Sequence, residues 1–216
     1  GCQQQEKRER DSFPTPFEEG DGNTTPTYSE VVDFYIRLAR EFPQVNMQTL
    51  GMTDSRTPLH LVTYNPEGNF NFQRLREEKT VLLVLNGIHP GEPDGIDASM
   101  MLMRDLATGI LEIPENTVIA LVPVYNIGGA LQRNSTTRAN QNGPLEYGFR
   151  GNARNFDLNR DFIKMDTRNA QSFAEIFHLV QPDFFLDTHV SNGADYAYVL
   201  THLFTQQQKL GDPLGT

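Results

Sequence analysis

The stretch Val81-Leu82-Leu83-Val84-Leu85-Asn86-Gly87-Ile88-His89-Pro90-Gly91-Glu92 decides how the rest of the chain is read. Its first five residues are apolar without alternation. A run this short, bounded by turn residues, is the pattern of a strand buried on both faces, as in a parallel sheet. The strand runs straight into a loop tightened by Pro90 and Gly91, which holds an imidazole and a carboxylate three residues apart. In open α/β sheets, ligands collect just beyond the carboxyl ends of strands. His89 and Glu92 are ligand types that zinc takes. Alone, such a pair also fits an ordinary surface loop; the preceding strand, the proline and the glycines favour the metal.

Outward from this strand, the chain divides into recognisable pieces. Residues 1–26 are charged and proline-bearing, the composition of a disordered tether, and an ordered domain is expected over 27–216. Thr27-Tyr-Ser-Glu30 is a capping box, and Val31, Phe34, Ile36, Leu38 and Phe42 continue as a helix that Pro43 ends. Val45–Leu50 and Pro58–Tyr64 read as a hairpin, and residues 65–79 as polar and irregular. A helix is predicted from Asp94 to about Thr108, with Gly109 as its C-cap; its methionines are packing residues. Thr117–Val122 is a second short apolar strand. Residues 126–153 form a long aperiodic loop, a feature that is usually functional or mobile. A helix over Thr167–Val180 and strands over Phe184–Asp187 and Tyr196–Leu200 complete the reading, an α/β sheet with helices on both faces.

Bulk properties narrow the partners. The chain has 216 residues, a formal charge of -10 and a pI near 4.9, which argues against nucleic acid, because phosphate binding needs a basic face. No apolar run is long enough to cross a bilayer. The single cysteine, Cys2, allows no intrachain disulfide. Gly-Cys followed by a polar tail is what remains when a bacterial lipoprotein signal is removed. A lipid anchor at Cys2 and a cell-envelope location, periplasmic or outer-membrane, are therefore expected, with a secreted or cytoplasmic protein as the alternative.

Two further stretches carry chemistry. Arg150-Gly-Asn152-Ala-Arg154-Asn-Phe156-Asp157-Leu158-Asn159-Arg160-Asp161-Phe162 crowds three arginines among amides and apolar anchors. The Phe156/Leu158 alternation suggests a short extended piece with one face buried. Arg160 beside Asn159 suits a carboxylate, since a guanidinium presents a planar fork. Arg150 or Arg154 could face a developing oxyanion; a solvated loop with internal salt bridges is the plainer alternative. In Phe184-Phe-Leu-Asp187-Thr188-His189, a strand again ends in a histidine. His189 is the natural third ligand, and three protein ligands with an open position are the pattern of a catalytic zinc site. A zinc held there would acidify water and polarise a carbonyl. His60, His178 and His202 are read as ordinary surface or packed residues.

Taken together, His89-Pro-Gly-Glu92, Arg150-x-Asn-Ala, Asp157-Leu-Asn159-Arg160 and Asp187-Thr-His189, in this order, resemble the zinc metallocarboxypeptidase family, in particular its regulatory carboxypeptidase E-like and bacterial branches. The likeness runs from about Tyr28 to Leu200. It implies an α/β fold with a mixed, mostly parallel sheet, one zinc held by His89, Glu92 and His189, and Arg150 polarising the scissile carbonyl. It further implies that Asn159 and Arg160 hold the substrate's terminal carboxylate and that Asp157 orients the first zinc histidine. Arg154 matches no position and is read as a loop salt bridge. Asp161 stands where many members have Asn. The implied substrate is a peptide or an acyl-amino acid with a free carboxylate, and the implied reaction is zinc-dependent hydrolysis of a C-terminal peptide bond. The family's catalytic glutamate lies well after the last zinc ligand, and the 27 residues after His189 contain no Glu. The expectation is therefore the N-terminal part of a longer catalytic domain. An N-acyl amino acid deacylase of the aspartoacylase or succinylglutamate desuccinylase type, and a non-catalytic carboxylate-binding relative, stay open as alternatives.

Overall fold

The structure is a computed structural model that describes residues 10–191 and 197–211. In chain order its elements are α1 (Pro16–Glu19), α2 (Tyr28–Glu41), β1 (Val45–Met52), β2 (Pro58–Tyr64), α3 (Phe72–Glu78), β3 (Thr80–Leu85), α4 (Asp94–Ala107), β4 (Thr117–Val122), α5 (Ile127–Ala130), α6 (Arg168–Val180) and β5 (Phe184–Asp187). Single 3-10 turns lie at Leu158–Arg160 and Gln207–Lys209. The strands form one sheet in the order β1-β2-β4-β3-β5. β3 runs parallel to both β4 and β5, whereas β1–β2 and β2–β4 are antiparallel. The sheet is mixed, as expected, but among the described residues its parallel and antiparallel pairings are equal rather than mostly parallel. Parallel neighbours need a crossover, which α4 and the long 123–183 connection supply. The β1–β2 hairpin reverses through a tight turn and docks on β4 antiparallel.

Side chains alternate across the sheet and so divide the core in two. On β3 and β4, Val81, Leu83, Leu85, Val118, Ala120 and Val122 face α3 and α6. Val84, Ile119 and Leu121 face α2 and α4. This is the period-2 pleat of a strand buried on both faces, and it explains why Val81–Leu85 shows no polar alternation. β3, paired on one side with β4 and on the other with β5, is accordingly the element from which the site projects.

Several expectations need correction. Residues 10–26 are not a tether. Phe13 is 1% exposed, with the rings of Phe34 and Phe42 at 6.1 and 5.8 Å. A second capping box, Thr15 with Glu18, starts α1 behind a proline at its first turn. Buried Arg104 reaches from α4 to Glu18 Oε2 (2.6 Å) and to the Phe13 carbonyl (3.2 Å). One aromatic anchor and one buried guanidinium outweigh the segment's polar composition. Residues 1–9, Cys2 among them, lie outside the described residues. The polar stretch 65–79 contains α3, capped by Asn71 and held by Phe72 and Leu75. Ile36 of α2 is exposed, and Tyr35 is the buried residue in its place.

The C-terminal side of the sheet also differs from expectation. Phe184, Phe185 and Leu186 of β5 are 64%, 42% and 50% exposed, because β5 is an edge strand with only β3 as neighbour among the described residues. Residues 197–200 form no strand: Tyr198, Val199 and Leu200 are exposed, while Tyr196 lies outside the described residues. Phe156 and Leu158 do not share a buried face either. Leu158 is buried and Phe156 exposed. The left-handed Asn155 (φ 62°) and the 3-10 turn that follows break the extended register.

Candidate metal centre

The site is assembled by the ends of two adjacent parallel strands. In the β3–β5 ladder Leu85 pairs with Asp187, so both chains leave the sheet side by side. Buried Asn86 fastens them. Its amide donates to Ser99 Oγ on α4 (2.8 Å), and the Thr188 hydroxyl lies 2.9 Å from its Oδ1 and 3.1 Å from the Leu85 carbonyl. Gly95 on α4 lets Thr188 come this close; a Cβ there would meet Thr188 Oγ1 at 2.0 Å. Gly87 then turns the chain with φ 66°. His89 and Glu92 follow in the loop, His189 follows β5, and the two imidazole centroids lie 5.1 Å apart at 80°.

One ligand atom from each of His89, Glu92 and His189 lies within 4.8 Å of the others. His89 Nε2 is 2.9 Å from Asp157 Oδ1. A carboxylate can only accept, so the proton sits on Nε2 and the Nδ1 lone pair is free. That Nδ1 is buried without a hydrogen-bond partner. Glu92 Oε1 lies 3.3 Å from it, an acceptor facing an acceptor, not a directed hydrogen bond. At His189, Nδ1 meets Asp187 Oδ2 at 2.7 Å and Nε2 is likewise buried and unpartnered. Two orphaned ring nitrogens flanking a buried carboxylate form a donor set that fits a zinc ion.

Electrostatics agree with this reading. Burial acts to raise the Glu92 pKa, but His89 when its ring is protonated, the charge of Arg138 and a hydrogen bond from the Val190 amide (3.3 Å) pull it below its usual value. Burial also acts to raise Asp157; hydrogen bonds from His89, the Asn159 amide and Arg150 prevail and hold it at about 2. The Asp187 hydrogen bond raises His189 against the opposing effect of burial. Glu92 and Asp157 are therefore both ionised at neutral pH.

The arginine-rich stretch meets this centre through Asp157. Arg150 donates to Asp157 Oδ2 from Nε (3.1 Å) and Nη2 (3.0 Å), and its Nη1 lies 3.9 Å from Glu92 Oε1. Asn159 and Arg160 sit on the 3-10 turn that Asp157 caps. Arg160 is exposed, and its guanidinium donates to the Asn159 carbonyl (3.1 Å). Arg154 points elsewhere, 3.8 Å from Asp54 and over the Phe156 ring. His60 pairs with Thr49 in the hairpin, and His178 and His202 are exposed. Two participants are given no role in the sequence reading. Asp187 stands two residues before His189 in a motif already singled out, so its role was open to inspection. Arg138, whose Nη1 is 3.1 Å from Glu92 Oε1 and whose Nη2 touches the same oxygen, is one of several arginines in an aperiodic loop and leaves no local signal.

A mixed sheet whose parallel strand ends gather two histidines and a glutamate defines an α/β protein with a candidate metal centre. The family follows: residues 31–182 match the zinc carboxypeptidase model, and the chain belongs to that family. The match covers His89 through Arg160, while His189 lies beyond it and is placed by the sheet. Carboxypeptidase 2 of Trichophyton rubrum is 24% identical over 201 residues, 88% of this chain and 35% of the relative. Probable carboxypeptidase 2 of Trichophyton verrucosum is 25% identical over 78% of this chain and 30% of its own length. The chain thus spans about a third of the curated relatives it matches. A carboxypeptidase A of Shewanella denitrificans, so described from its crystal structure, shares the fold with TM-score 0.59 at 20% identity, over 81% of this chain and 42% of that one. A metallo-carboxypeptidase from Pseudomonas aeruginosa, solved with (2-guanidinoethylmercapto)succinic acid, gives TM-score 0.50 at 18% identity over 75% and 40%.

Proposed function

We propose that this chain supplies the metal-binding part of a longer enzyme that hydrolyses the C-terminal peptide bond of a substrate with a free carboxylate, using one zinc. The observation that carries the reading is the pair of buried, unpartnered nitrogens, His89 Nδ1 and His189 Nε2, beside the ionised Glu92. A zinc bound there would acidify water and withdraw electrons from a carbonyl oxygen. The chain's own residues orient the ligands and the substrate. Asp157 keeps the His89 proton on Nε2, so that Nδ1 remains a ligand. Arg150 stands between Asp157 and Glu92 with a fixed positive charge for a developing oxyanion. Half-buried Asn159 and exposed Arg160 offer an amide and a lightly engaged guanidinium, the chemistry that grips a carboxylate bidentately. The succinic acid derivative in the Pseudomonas relative is a ligand of the same chemical kind. The proton acceptor for hydrolysis is assigned to the part of the enzyme beyond this chain. A lipid anchor at Cys2, with a place in the cell envelope, is proposed on the sequence alone; mass spectrometry of the native protein would show acyl chains on Cys2 or an unmodified thiol.

The test is the longer protein, assayed on a peptide with a free C-terminus, on the same peptide amidated, and on acetyl- and succinyl-amino acids. Release of one residue from the free peptide only, abolished by chelation, is the expected result. Cleavage of the acyl compounds alone would overturn the peptidase reading. Arg160→Ala is expected to raise KM by about tenfold or more, the loss of a charge-assisted bidentate pair.

A further inference from the structure

Arg138 does something the zinc reading does not require. Its guanidinium rests on Glu92 Oε1, the same oxygen that lies 3.3 Å from the free His89 Nδ1. It therefore occupies the side of the carboxylate that a metal held by His89 would share. The approach is built in. Gly91 has no Cβ; one placed there would meet Arg138 Cδ at 2.8 Å and the Gly148 carbonyl at 2.9 Å. The loop that carries Arg138 is closed at its base by paired backbone bonds between Asn134 and Tyr147 (both 2.9 Å). Its tip is tied to the metal loop by Arg138 and by Gln141 Nε2, which donates to the Gly91 carbonyl (2.9 Å). Residues 137–141 also wall a cavity of about 330 Å³ that opens against Arg150.

Charge decides what happens when a dication arrives. Glu92 is the one carboxylate among the three candidate ligands, and two guanidiniums, Arg138 and Arg150, already face its Oε1. With the metal absent, Arg138 neutralises a carboxylate that is 3% exposed. With a dication on the same oxygen, Arg138 meets like charge at contact distance in a desolvated site, and that arrangement is unfavourable. We propose that Arg138 is a resident counter-ion for Glu92 which the divalent metal displaces, so that metal binding releases the tip of the 134–147 loop and reshapes the cavity beside Arg150. The inference rests on the assignment of His89, Glu92 and His189 as ligands.

The experiment is zinc affinity by competition with a chromophoric chelator, for the wild type, Arg138→Gln, Arg138→Lys and His89→Ala, together with hydrogen exchange of the 134–147 segment with and without zinc. Arg138→Gln is expected to bind zinc at least about tenfold more tightly, since no charged hydrogen bond has to be broken. Arg138→Lys should fall between it and the wild type, and zinc should accelerate exchange in the loop. Equal or weaker affinity in Arg138→Gln, or a loop protected by zinc, overturns the proposal while a His89-dependent site still stands. Failure of every variant to take zinc overturns both readings.

Discussion

Replacing Asp157 by asparagine tests the site where its interactions converge. In the folded chain this carboxylate accepts from His89 Nε2, from the Asn159 amide and twice from Arg150, at 2.9–3.1 Å. Burial opposes the charge, yet the carboxyl is held at about 2 against a usual 3.8. That depression corresponds to about 2 kcal/mol of stability, which solvent screening on the open side of the group reduces to about 1–2 kcal/mol. The sign is fixed by linkage. Between pH 4 and pH 2 the unfolded chain binds a proton that the folded chain refuses, so the contribution is complete above pH 4 and disappears as the pH falls through 2. The amide of the Asp157→Asn variant can keep the shape but not the charge. In metal-free protein, urea unfolding should show Asp157→Asn less stable by about 1–2 kcal/mol at pH 6, with the gap closing below pH 4. Zinc affinity should fall about 10- to 100-fold, as expected when the partner that fixes a ligand histidine is lost. A gap that persists unchanged down to pH 2, or undiminished zinc affinity, would refute the role assigned to Asp157.

Other perturbations probe different parts of the account. Asp97, buried on α4 and bonded to Thr25 Oγ1 at 3.0 Å, is pushed by burial to about 7. The fold prefers its protonated form, so wild-type stability should rise as pH drops from about 8 towards 4, and Asp97→Asn should remove that slope in thermal melts. Gly95→Ala would place a methyl group against Thr188; separation of the strand ends should cost about 1–3 kcal/mol and weaken zinc binding. Leu83→Ala, at a fully buried position of β3, should cost about 2–5 kcal/mol in urea unfolding without affecting the metal stoichiometry of the folded protein. The exposed apolar edge at β5 should make this chain associate with itself; light scattering should show concentration-dependent growth that Phe184→Lys reduces, and a clean monomer at high concentration would count against it.

What could be read from the sequence follows the physics of each signal. β3, β4, the hairpin, α2, α4 and α6 were visible because buried faces impose periodic apolar residues and because Thr27, Pro43 and Gly109 punctuate them. The candidate metal ligands were visible because His89 and His189 each follow an apolar strand closely, and Glu92 shares the turn with His89. What stayed hidden was tertiary. α3 offers only Phe72 and Leu75, too few to show a period. The packing of residues 10–26 depends on Phe13 meeting α2 and on Arg104 reaching across from α4, although Thr15-Pro-Phe-Glu18 carries the same capping signature as Thr27–Glu30. The exposure of β5 depends on which strands flank it, and the apolar run Phe184–Leu186 cannot report that. Arg138 reaches Glu92 across 46 residues of chain, and nothing in its neighbours announces the contact.

Everything proposed for this chain depends on His89, Glu92 and His189 holding one metal ion. Elemental analysis of the chain purified without chelator, beside His89→Ala and His189→Ala, tests it most directly. One zinc per chain is expected in the wild type, with its loss in both variants while circular dichroism remains that of the folded protein. A folded wild type that takes up no zinc after incubation with it, or variants that keep theirs, would contradict it.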